Sequence, residues 1–570
     1  MRRRGLLSLS LVLLCLAGCD YEPVERTTLV LQPPEEEVVP PEPKLPDEPS
    51  FTPVLNAWEA EVDKTALDEE MRGQLRRMQH AAGERPVFLA TGQWDRKGDQ
   101  VIALVEGLPT HAIGLDGAMR SALRRLTTLR MLVVSFGAWR GEALADDAHM
   151  ARLVEADHLI AHLWLEAARL LGATRGHGPE DERAMERRLL TALAEWSHTG
   201  QLIATLPPPM AAYQALLEAF ERYRALEADG FVVLPKSVRK ARPGKAHKDI
   251  PLLRQRLAQE DPAGAGEGDV WDDALTDALR RARPAYQLKP KRKARYLTDK
   301  ALVAALNVPL TERLASLELN LARWRHSELR HFPYVVFVNL PEYHGEVWHG
   351  AERLHDFKVV IGNTRKKRGF MINATPVLTS SIQTIVYNPY WTVPNRIYEE
   401  ELLVSAEKFA EAQLAEAVDG ADVGKPPPTY WEARGYEVFG EEGKGRVWVR
   451  RRPGPGNALG KVKFLFDNRW SVFLHDTPQK RKFRHTRRAF SHGCVRVHEP
   501  LTLAELLLTR DGTWPEVEAA KVMKHYDQKV FEMKTPVWLV VDYVTARVDA
   551  DGRVRFFADV YRKDAKVASR

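Results

Sequence analysis

The hydrophobic periodicity of this 570-residue chain changes at Pro333. Between about residues 56 and 235, apolar side chains recur at spacings of three and four, which predicts amphipathic helices. After Pro333 the apolar residues alternate with polar ones or form short runs, a pattern typical of β-strands. We therefore expect a multidomain α+β protein with a helical N-terminal scaffold domain at 56–236 and a mainly β domain at 333–570.

Seven segments after Pro333 carry the strand pattern. They are 334–340, 357–361, 382–387, 461–466, 472–475, 537–544 and 554–561. Asp551 and Gly552, between the last two segments, predict a hairpin turn. The strands are interrupted between about 394 and 450, where we expect a helix at 399–418 and a proline-rich loop at 426–428. Short helices are expected at 501–508 and 514–523.

The segment between the scaffold and the β part carries weaker signals. Residues 237–247 are basic and contain Gly and Pro, which predicts a linker. Residues 248–306 have helical spacing in short stretches, which indicates a small helical unit. An amphipathic helix at 310–324, within the segment 307–332, would connect the scaffold to the β part.

Residues 1–19 have the pattern of a bacterial export signal. Three arginines precede an apolar run at 6–16 that is too short to span a membrane comfortably. The segment ends in the sequence LAGC, which resembles a lipobox, so we expect Cys19 to carry the lipid that attaches a periplasmic protein to an envelope membrane. An uncleaved anchor is the alternative. Residues 20–55 are rich in Pro and Glu and predict an extended linker.

Composition narrows the class of protein. The net charge is +6, with 44% hydrophobic and 28% charged residues, as in globular proteins. This charge is too small for the chain length to indicate nucleic-acid binding, although a mildly basic surface suits an anionic cell wall. Two of the three cysteines, Cys15 and Cys19, lie in the export signal. Cys494 is the third, so we expect no internal disulfide.

Cys494 lies in a sequence that favours a nucleophile. A cysteine attacks as its thiolate, and nearby cations favour that form. Cys494 follows a basic run at 484–488 and is flanked by His492 and Arg496. We therefore expect its pKa to lie below that of a free cysteine.

Two neighbours of Cys494 are suited to acyl transfer. Gly493 has no Cβ, so the chain can turn tightly there and aim the amides of Gly493 and Cys494 at an oxyanion. His475 lies at the end of a predicted strand, just before a Thr-Pro break. From that position it can face Cys494 and act as a general base.

Three other interpretations stay open at this point. Cys494 can be a small hydrophobic residue of the core. The basic run at 484–488 can be a solvated surface. A zinc site is the third, although the sequence lacks a paired Cys-x-x-Cys or His-x-x-x-His motif. Its ligands would be His475, His492, Cys494 and His498.

The segment from His475 to Arg496 resembles the signature of the L,D-transpeptidase catalytic domain of the YkuD type. The histidine is followed, after about fifteen residues, by the sequence SHGCV at 491–495. Further segments are similar to the large scaffold-bearing branch of these enzymes. They are YNPYWTVP at 387–394, PGPGNALG at 453–460, KFLF at 463–466 and LHDTP at 474–478. The similarity covers roughly residues 295–570.

This resemblance implies a cysteine acyltransferase that uses no metal and no organic cofactor. Cys494 would attack a peptidoglycan tetrapeptide stem with His475 as base, release D-alanine, and pass the acyl group to an amine of a neighbouring stem in a 3–3 cross-link. Ser491, His492 and Gly493 would line the oxyanion site. Arg496 and Arg488 would bind a stem carboxylate. A structural salt bridge is the alternative for each of them.

The resemblance has further implications. Residues 248–306 would be a degenerate peptidoglycan-binding-like unit, 394–450 a capping subdomain, and Cys494 a target of carbapenems. The branch often carries a tyrosine two residues before this histidine, whereas Phe473 occupies that position here. An L,D-carboxypeptidase and a non-catalytic peptidoglycan-binding scaffold lipoprotein are the alternatives. The sequence does not define an oligomeric state.

Overall fold

The computed structural model describes residues 73–75, 77–78, 87–89, 94, 96–140, 147–172, 179–195, 210–417, 429–440, 447–514 and 524–564. Within these residues a helical N-terminal half precedes a mainly β C-terminal domain, which confirms the predicted α+β organisation. The expected export signal with Cys19, the linker at 20–55, the proline-rich loop at 426–428 and most of the expected helix at 514–523 lie outside the described residues. No helix in the described ranges is long and apolar enough to cross a membrane.

Nine α-helices of four or more residues precede the first strand in the described part of the chain. They are α1 Arg96–Gly107, α2 Gly117–Arg140, α3 Asp147–Leu170, α4 Pro179–Glu195, α5 Ala211–Asp229, α6 Ile250–Ala258, α7 Asp273–Ala285, α8 Lys300–Leu306 and α9 Leu310–Arg325. Short 3₁₀ turns occur at Leu108–His111, Lys236–Lys240, Ala294–Tyr296 and Glu328–His331.

Helices α1 to α4 share a hydrophobic core of their own. Trp164 is fully buried in it and donates its indole proton to the carbonyl of Leu189, 3.2 Å away. The buried carboxylate of Asp157 accepts hydrogen bonds from the amides of three consecutive residues at 87–89. Such bonds offset the cost of burying a charge and join the segment before α1 to α3.

Helices α6 to α8 belong to a second unit with a separate core around Trp271. The expected linker at 237–247 is in fact packed into this unit, since Val238 and Ala241 are almost fully buried in the same core. The side chain of Asp272 caps α7 by accepting a hydrogen bond from the amide of Leu275 at 2.9 Å.

The described residues of the C-terminal domain contain sixteen strands. They are β1 Tyr334–Asn339, β2 His344–His349, β3 Glu352–Gly362, β4 Lys366–Lys367, β5 Phe370–Met371, β6 Leu378–Tyr387, β7 Trp391–Thr392, β8 Tyr436–Phe439, β9 Trp448–Arg451, β10 Val462–Phe466, β11 Leu474–His475, β12 Ala489–Ser491, β13 Val495–Val497, β14 Lys529–Asp542, β15 Ala546–Val548 and β16 Val554–Phe556.

Nine of these strands form the main sheet. Their order is β12-β3-β13-β11-β10-β6-β14-β1-β2, and β3 also pairs with β2, so the sheet closes on itself. One face of the sheet packs around a core that includes helix α13, Pro500–Arg510. The opposite face packs against α5 and α9 near β1 and β14.

An insertion separates β6 from β10. It contains a short helix α10 Asn395–Ile397, a π-helical turn Tyr398–Leu402, the helices α11 Leu403–Ala417 and α12 Tyr430–Ala433, and a small sheet in the order β7-β9-β8. Val393, Leu402, Tyr436 and Val449 form its core. The helix expected at 399–418 is therefore present in the described residues up to 417, after a π-helical turn.

The hairpin at Gly552 joins different strands from those expected. It connects β15 to β16, whereas β14 ends at Asp542 and pairs with β1 and β6. The backbone amides just after β14 bond to side chains instead of to a neighbouring strand. The amide of Val544 donates to the side chain of Asn339, and the amide of Thr545 donates to the side chain of Asn320. The chain therefore leaves the main sheet before the hairpin begins.

Candidate active site

Cys494 lies in the turn between β12 and β13. Gly493 precedes it with φ of +132°, a conformation that side chains with a Cβ rarely adopt. A Cβ at Gly493 would find only Val472 nearby, at 3.7 Å, so backbone conformation rather than space requires the glycine. The hydroxyl of Ser491 donates to the carbonyl of Cys494 and closes the turn.

The sheet brings His475 next to this turn. Strands β11 and β13 are parallel neighbours, with Leu474 opposite Val495 and His475 opposite Arg496. The amide of Val495 also donates to the carbonyl of Phe473, 3.1 Å away. Cys494, one residue before Val495, therefore lies beside the segment that carries His475.

A backbone carbonyl fixes the tautomer of His475. Its Nδ1 lies within hydrogen-bond distance of the carbonyl oxygen of Asp476. A carbonyl only accepts, so Nδ1 carries the proton in the neutral ring, and Nε2 is left with a lone pair. The carboxylate of Asp476 is itself held, accepting from the amide of Lys461 at 2.9 Å and pairing with Lys480. The ring is thus in the form that a general base requires.

Burial dominates the electrostatics of the pair. It lowers the pKa of His475 to about 3, and Arg496 acts in the same direction. Burial also raises the pKa of Cys494 to about 11, although the amide of Phe473 and the charge of Arg496 favour the thiolate. The expected depression of the thiol pKa by its basic neighbours is therefore wrong for this structure, because desolvation outweighs them. Thiol and imidazole are both neutral at rest.

The backbone amides around the thiol differ from the expected oxyanion site. The amide of Gly493 donates to the hydroxyl of Ser491 at 3.2 Å, so it does not point to an incoming oxygen. The amide of Cys494 has no acceptor among the described residues apart from its own sulfur. Of the two amides expected to donate to an oxyanion, only that of Cys494 is available for it. Ser491 and Gly493 instead maintain the turn.

The side chain of His492 contacts the insertion. Its Nε2 lies 2.6 Å from the carboxylate of Glu401, which belongs to the π-helical turn. An ion pair between Arg365 and Glu400, at 2.7 Å, joins the same turn to the segment after β3. The insertion is therefore tied to the loop that carries the thiol.

Arg496 is half-buried and lacks an ion-pair partner among the described residues. One NH group donates to the side chain of Gln479 at 2.9 Å, and its Nε is buried without a hydrogen-bond partner. Burial lowers the pKa of Arg496, and the nearby Cys494 acts in the opposite direction. A guanidinium in this state can donate hydrogen bonds to the carboxylate of a ligand.

Arg488, the second arginine expected to hold a substrate carboxylate, is engaged elsewhere. Its guanidinium donates to three backbone carbonyls, those of Val359, His485 and Tyr343, at 3.1, 3.0 and 2.8 Å. These bonds do not favour the expected binding of a substrate carboxylate, and Arg488 has no ion pair within the described part of the chain. Its role is to join β3 and the loop after β1 to the segment that precedes β12.

The four residues considered for zinc do not converge. His492 contacts Glu401, and His498 packs edge-on against Phe483 with ring centroids 5.1 Å apart. Within the described ranges, no three His, Cys, Asp or Glu side chains are placed to hold a metal ion. This geometry gives no support to the zinc interpretation.

The comparison with protein families identifies the C-terminal part. The model of the L,D-transpeptidase catalytic domain (YkuD) matches residues 333–537. These residues are an L,D-transpeptidase catalytic domain. The match contains the turn of Cys494, the strand of His475 and the insertion. The resemblance seen in the sequence is thereby confirmed for the catalytic domain.

Individual relatives of this L,D-transpeptidase domain share less than a third of their residues with this chain. A Haemophilus influenzae protein whose name assigns it to the L,D-transpeptidases is 29% identical over 238 residues, which span 41% of this chain and 45% of that protein. A solved L,D-transpeptidase from Mycobacterium smegmatis is 11% identical, covers 37% of this chain and 58% of its own, and has a TM-score of 0.17.

A second solved structure, the L,D-transpeptidase from Xylanimonas cellulosilytica, is 14% identical. It covers 53% of this chain and 96% of its own, with a TM-score of 0.16. At such scores neither structural match supports an argument about this chain.

Several residues that shape the candidate site around Cys494 gave no signal in the sequence. Thr375 donates to the carbonyl of Gly493 at 2.7 Å and accepts from the amide of Gly362 at 2.9 Å. Tyr561 donates to the carbonyl of Gly362 at 2.7 Å and accepts from the amide of Thr375 at 3.1 Å. These contacts join segments far apart in the chain, so no local pattern could have indicated them.

Proposed function

We propose that this protein is a cell-wall L,D-transpeptidase of the large scaffold-bearing branch that transfers the acyl group of a peptidoglycan tetrapeptide stem through Cys494 and forms 3–3 cross-links. The observation that carries the proposal is the arrangement of Cys494 beside His475, with the histidine tautomer fixed by Asp476. The identity of residues 333–537 as an L,D-transpeptidase catalytic domain supports it.

The chemistry follows from the neutral pair. As the sulfur of Cys494 attacks the carbonyl of the third stem residue, its proton passes to Nε2 of His475. The amide of Cys494 stabilises the oxyanion of the tetrahedral intermediate. When the intermediate collapses, the C–N bond breaks, the protonated His475 gives its proton to the leaving D-alanine amine, and a thioester remains.

The second half-reaction reverses the roles. The side-chain amine of a neighbouring stem attacks the thioester carbonyl and gives a proton to His475. The thiolate of Cys494 then leaves, recovers that proton, and a new amide joins two third residues. Water as the acceptor would give the carboxypeptidase outcome. No step uses a metal or an organic cofactor.

The remaining parts of the chain have proposed roles that fit this reaction. The insertion at about 394–450 is a cap, which its hydrogen bond to His492 and its ion pair to Arg365 support. The helical unit that includes 248–306 is a peptidoglycan-binding-like module, supported by its separate core. Cys19 carries the lipid that holds the protein at a periplasmic membrane face.

One experiment tests the reaction. Purified protein is incubated with a tetrapeptide-containing muropeptide and followed by mass spectrometry, which distinguishes the acyl-enzyme, hydrolysis and the cross-linked product. We expect an adduct on Cys494, absent in Cys494→Ala and nearly absent in His475→Ala, and an adduct with a carbapenem at the same residue. Hydrolysis without cross-linking would assign a carboxypeptidase. Wild-type rates in both variants would show that the chemistry lies at other residues, and no reaction of the wild type would leave the scaffold interpretation.

Membrane attachment is tested separately. Cys19→Ser should leave the precursor unprocessed or release the protein from the membrane fraction. Normal processing of that variant, with partitioning into the detergent phase, would contradict lipidation at Cys19.

A further inference from the structure

Three basic side chains form a row across neighbouring strands of the main sheet. His475 of β11 is paired with Lys463 of β10 on one side and with Arg496 of β13 on the other. Directly paired residues on adjacent strands share a face of the sheet, and the strands lie about 4.8 Å apart. The proposed general base therefore has a cationic residue on each side.

The alternation of β10 shows which face this is. Val462 and Phe464, on either side of Lys463, are fully buried in the core that contains α13. Lys463 therefore projects from the opposite face, together with His475 and Arg496. On that face α5 and α9 pack near β1 and β14, at the far side of β6 from this row.

Neither cation of the row has a carboxylate partner among the described residues. Lys463 is only partly exposed, and burial lowers its pKa. Arg496 has a buried Nε without a hydrogen-bond partner. The adjacent acid, Asp476, is engaged by Lys480 and by the amide of Lys461. Two partly desolvated cations without an anion are unfavourable, and a ligand carboxylate would compensate them.

We propose that Lys463, with Arg496, forms a carboxylate subsite beside His475 that binds the C-terminal carboxylate of the leaving D-alanine. This inference rests on the proposed function and deepens it. The nitrogen of the scissile amide has to reach His475 to receive its proton, and the carboxylate of a terminal alanine is two bonds from that nitrogen. It therefore falls within about one strand spacing of the ring, where the two cations lie.

The subsite would restrict cleavage to the last residue of a stem. A stem that continues beyond this residue presents a neutral amide where the carboxylate would bind. Such a peptide gains no charge-assisted hydrogen bond from Lys463 and leaves the cation uncompensated. Lys463 is thus a substrate-binding residue that determines specificity, and the chemistry itself stays with Cys494 and His475.

The test compares two donors, a tetrapeptide stem with a free C-terminal carboxylate and the same stem with a C-terminal carboxamide. For the wild type we expect kcat/KM for acylation to favour the carboxylate by about tenfold or more. In Lys463→Gln this preference should fall towards one, because the rate with the carboxylate donor falls, and Lys463→Arg should restore it. Lys461→Gln is the matched control, since Lys461 is exposed and lies two residues earlier.

The outcomes separate the subsite from the reaction. Equal rates on both donors in the wild type, or an unchanged preference in Lys463→Gln, would overturn the subsite while leaving the transpeptidase intact. Failure of the wild type to acylate with either donor would overturn the proposed function and the subsite with it. Alkylation of Cys494 by iodoacetamide, which has no carboxylate, verifies the site in each variant. If Lys463→Gln melts early, Lys463→Met tests the same ratio.

Discussion

Thr375 donates its hydroxyl proton to the carbonyl oxygen of Gly493 across 2.7 Å, although 118 positions separate the two residues in the chain. The same hydroxyl accepts the amide proton of Gly362, and both ends of the contact are buried. The turn that presents Cys494 is therefore held by a residue from a distant segment. The hydroxyl of Thr375 thus supports the turn from outside, in addition to the hydroxyl of Ser491 within it.

Replacing Thr375 by valine should impair both stability and acylation. The change leaves the carbonyl of Gly493 and the amide of Gly362 buried without partners, which should cost about 1–3 kcal/mol of unfolding free energy. A displaced Cys494 should also lower kcat more than it raises KM. Urea denaturation and acylation kinetics measure the two effects. Thr375→Ser keeps the hydroxyl and is the control, and equal behaviour of the two variants would contradict this role.

The depressed pKa of His475 predicts a pH-dependent contribution to stability. The folded state holds the ring neutral down to about pH 3, whereas the unfolded chain binds the proton near pH 6.5. Between these values the unfolded state carries the extra proton, so this stabilisation is complete above pH 6.5 and is lost as the pH falls towards 3. The slope should approach 1.4 kcal/mol per pH unit.

Denaturation of the wild type and His475→Gln across this range measures the effect. The stability difference in favour of the wild type should shrink as the pH falls from 6.5 to 4. His485→Gln is the matched control because His485 is exposed. A stability difference that does not depend on pH would contradict the neutral, buried ring.

The raised pKa of Cys494 predicts slow alkylation at neutral pH. Only the thiolate reacts, so the rate with iodoacetamide should rise about tenfold per pH unit up to a midpoint near the folded value of about 11. Removing the adjacent charge in Arg496→Met should shift the midpoint upwards, because Arg496 favours the thiolate. A midpoint below about 8.5, the value of a free cysteine, would show that the thiol is activated before substrate binds.

The sequence predicted the positions of Cys494 and His475 because their chemistry is local. A lone cysteine in the sequence Ser-His-Gly-Cys and a histidine just before a Thr-Pro break both lie in short motifs that can be recognised without knowing the tertiary contacts. The short strands β12 and β13 were missed, since three residues are too few to show alternation. Their existence depends on pairing with β3 and β11, which are distant in the chain.

Electrostatic predictions from the sequence were the least reliable. Counting basic neighbours predicted an acidic thiol at Cys494, but the sequence gives no measure of burial, which is the larger effect here. Arg488 directly precedes β12, and its charge and position near Cys494 predicted substrate binding, yet its guanidinium donates to three backbone carbonyls. The partner of a long side chain is determined by tertiary packing.

The contact between His492 and Glu401 yields the last prediction, which separates the two histidines of the site. His475→Ala removes the base and should abolish nearly all acylation, because the thiol of Cys494 then stays protonated. His492→Ala removes only a contact to the insertion, between two partly exposed side chains, so acylation should remain measurable and stability should change by less than about 1 kcal/mol.

Glu401→Gln should reproduce the His492→Ala phenotype, and the double variant should add little to either. Glu399→Ala, at an exposed position of the same turn, should behave as the wild type. Acylation rates with thermal melts measure all five variants, and a loss in His492→Ala as large as in His475→Ala would place His492 in the proton transfer itself.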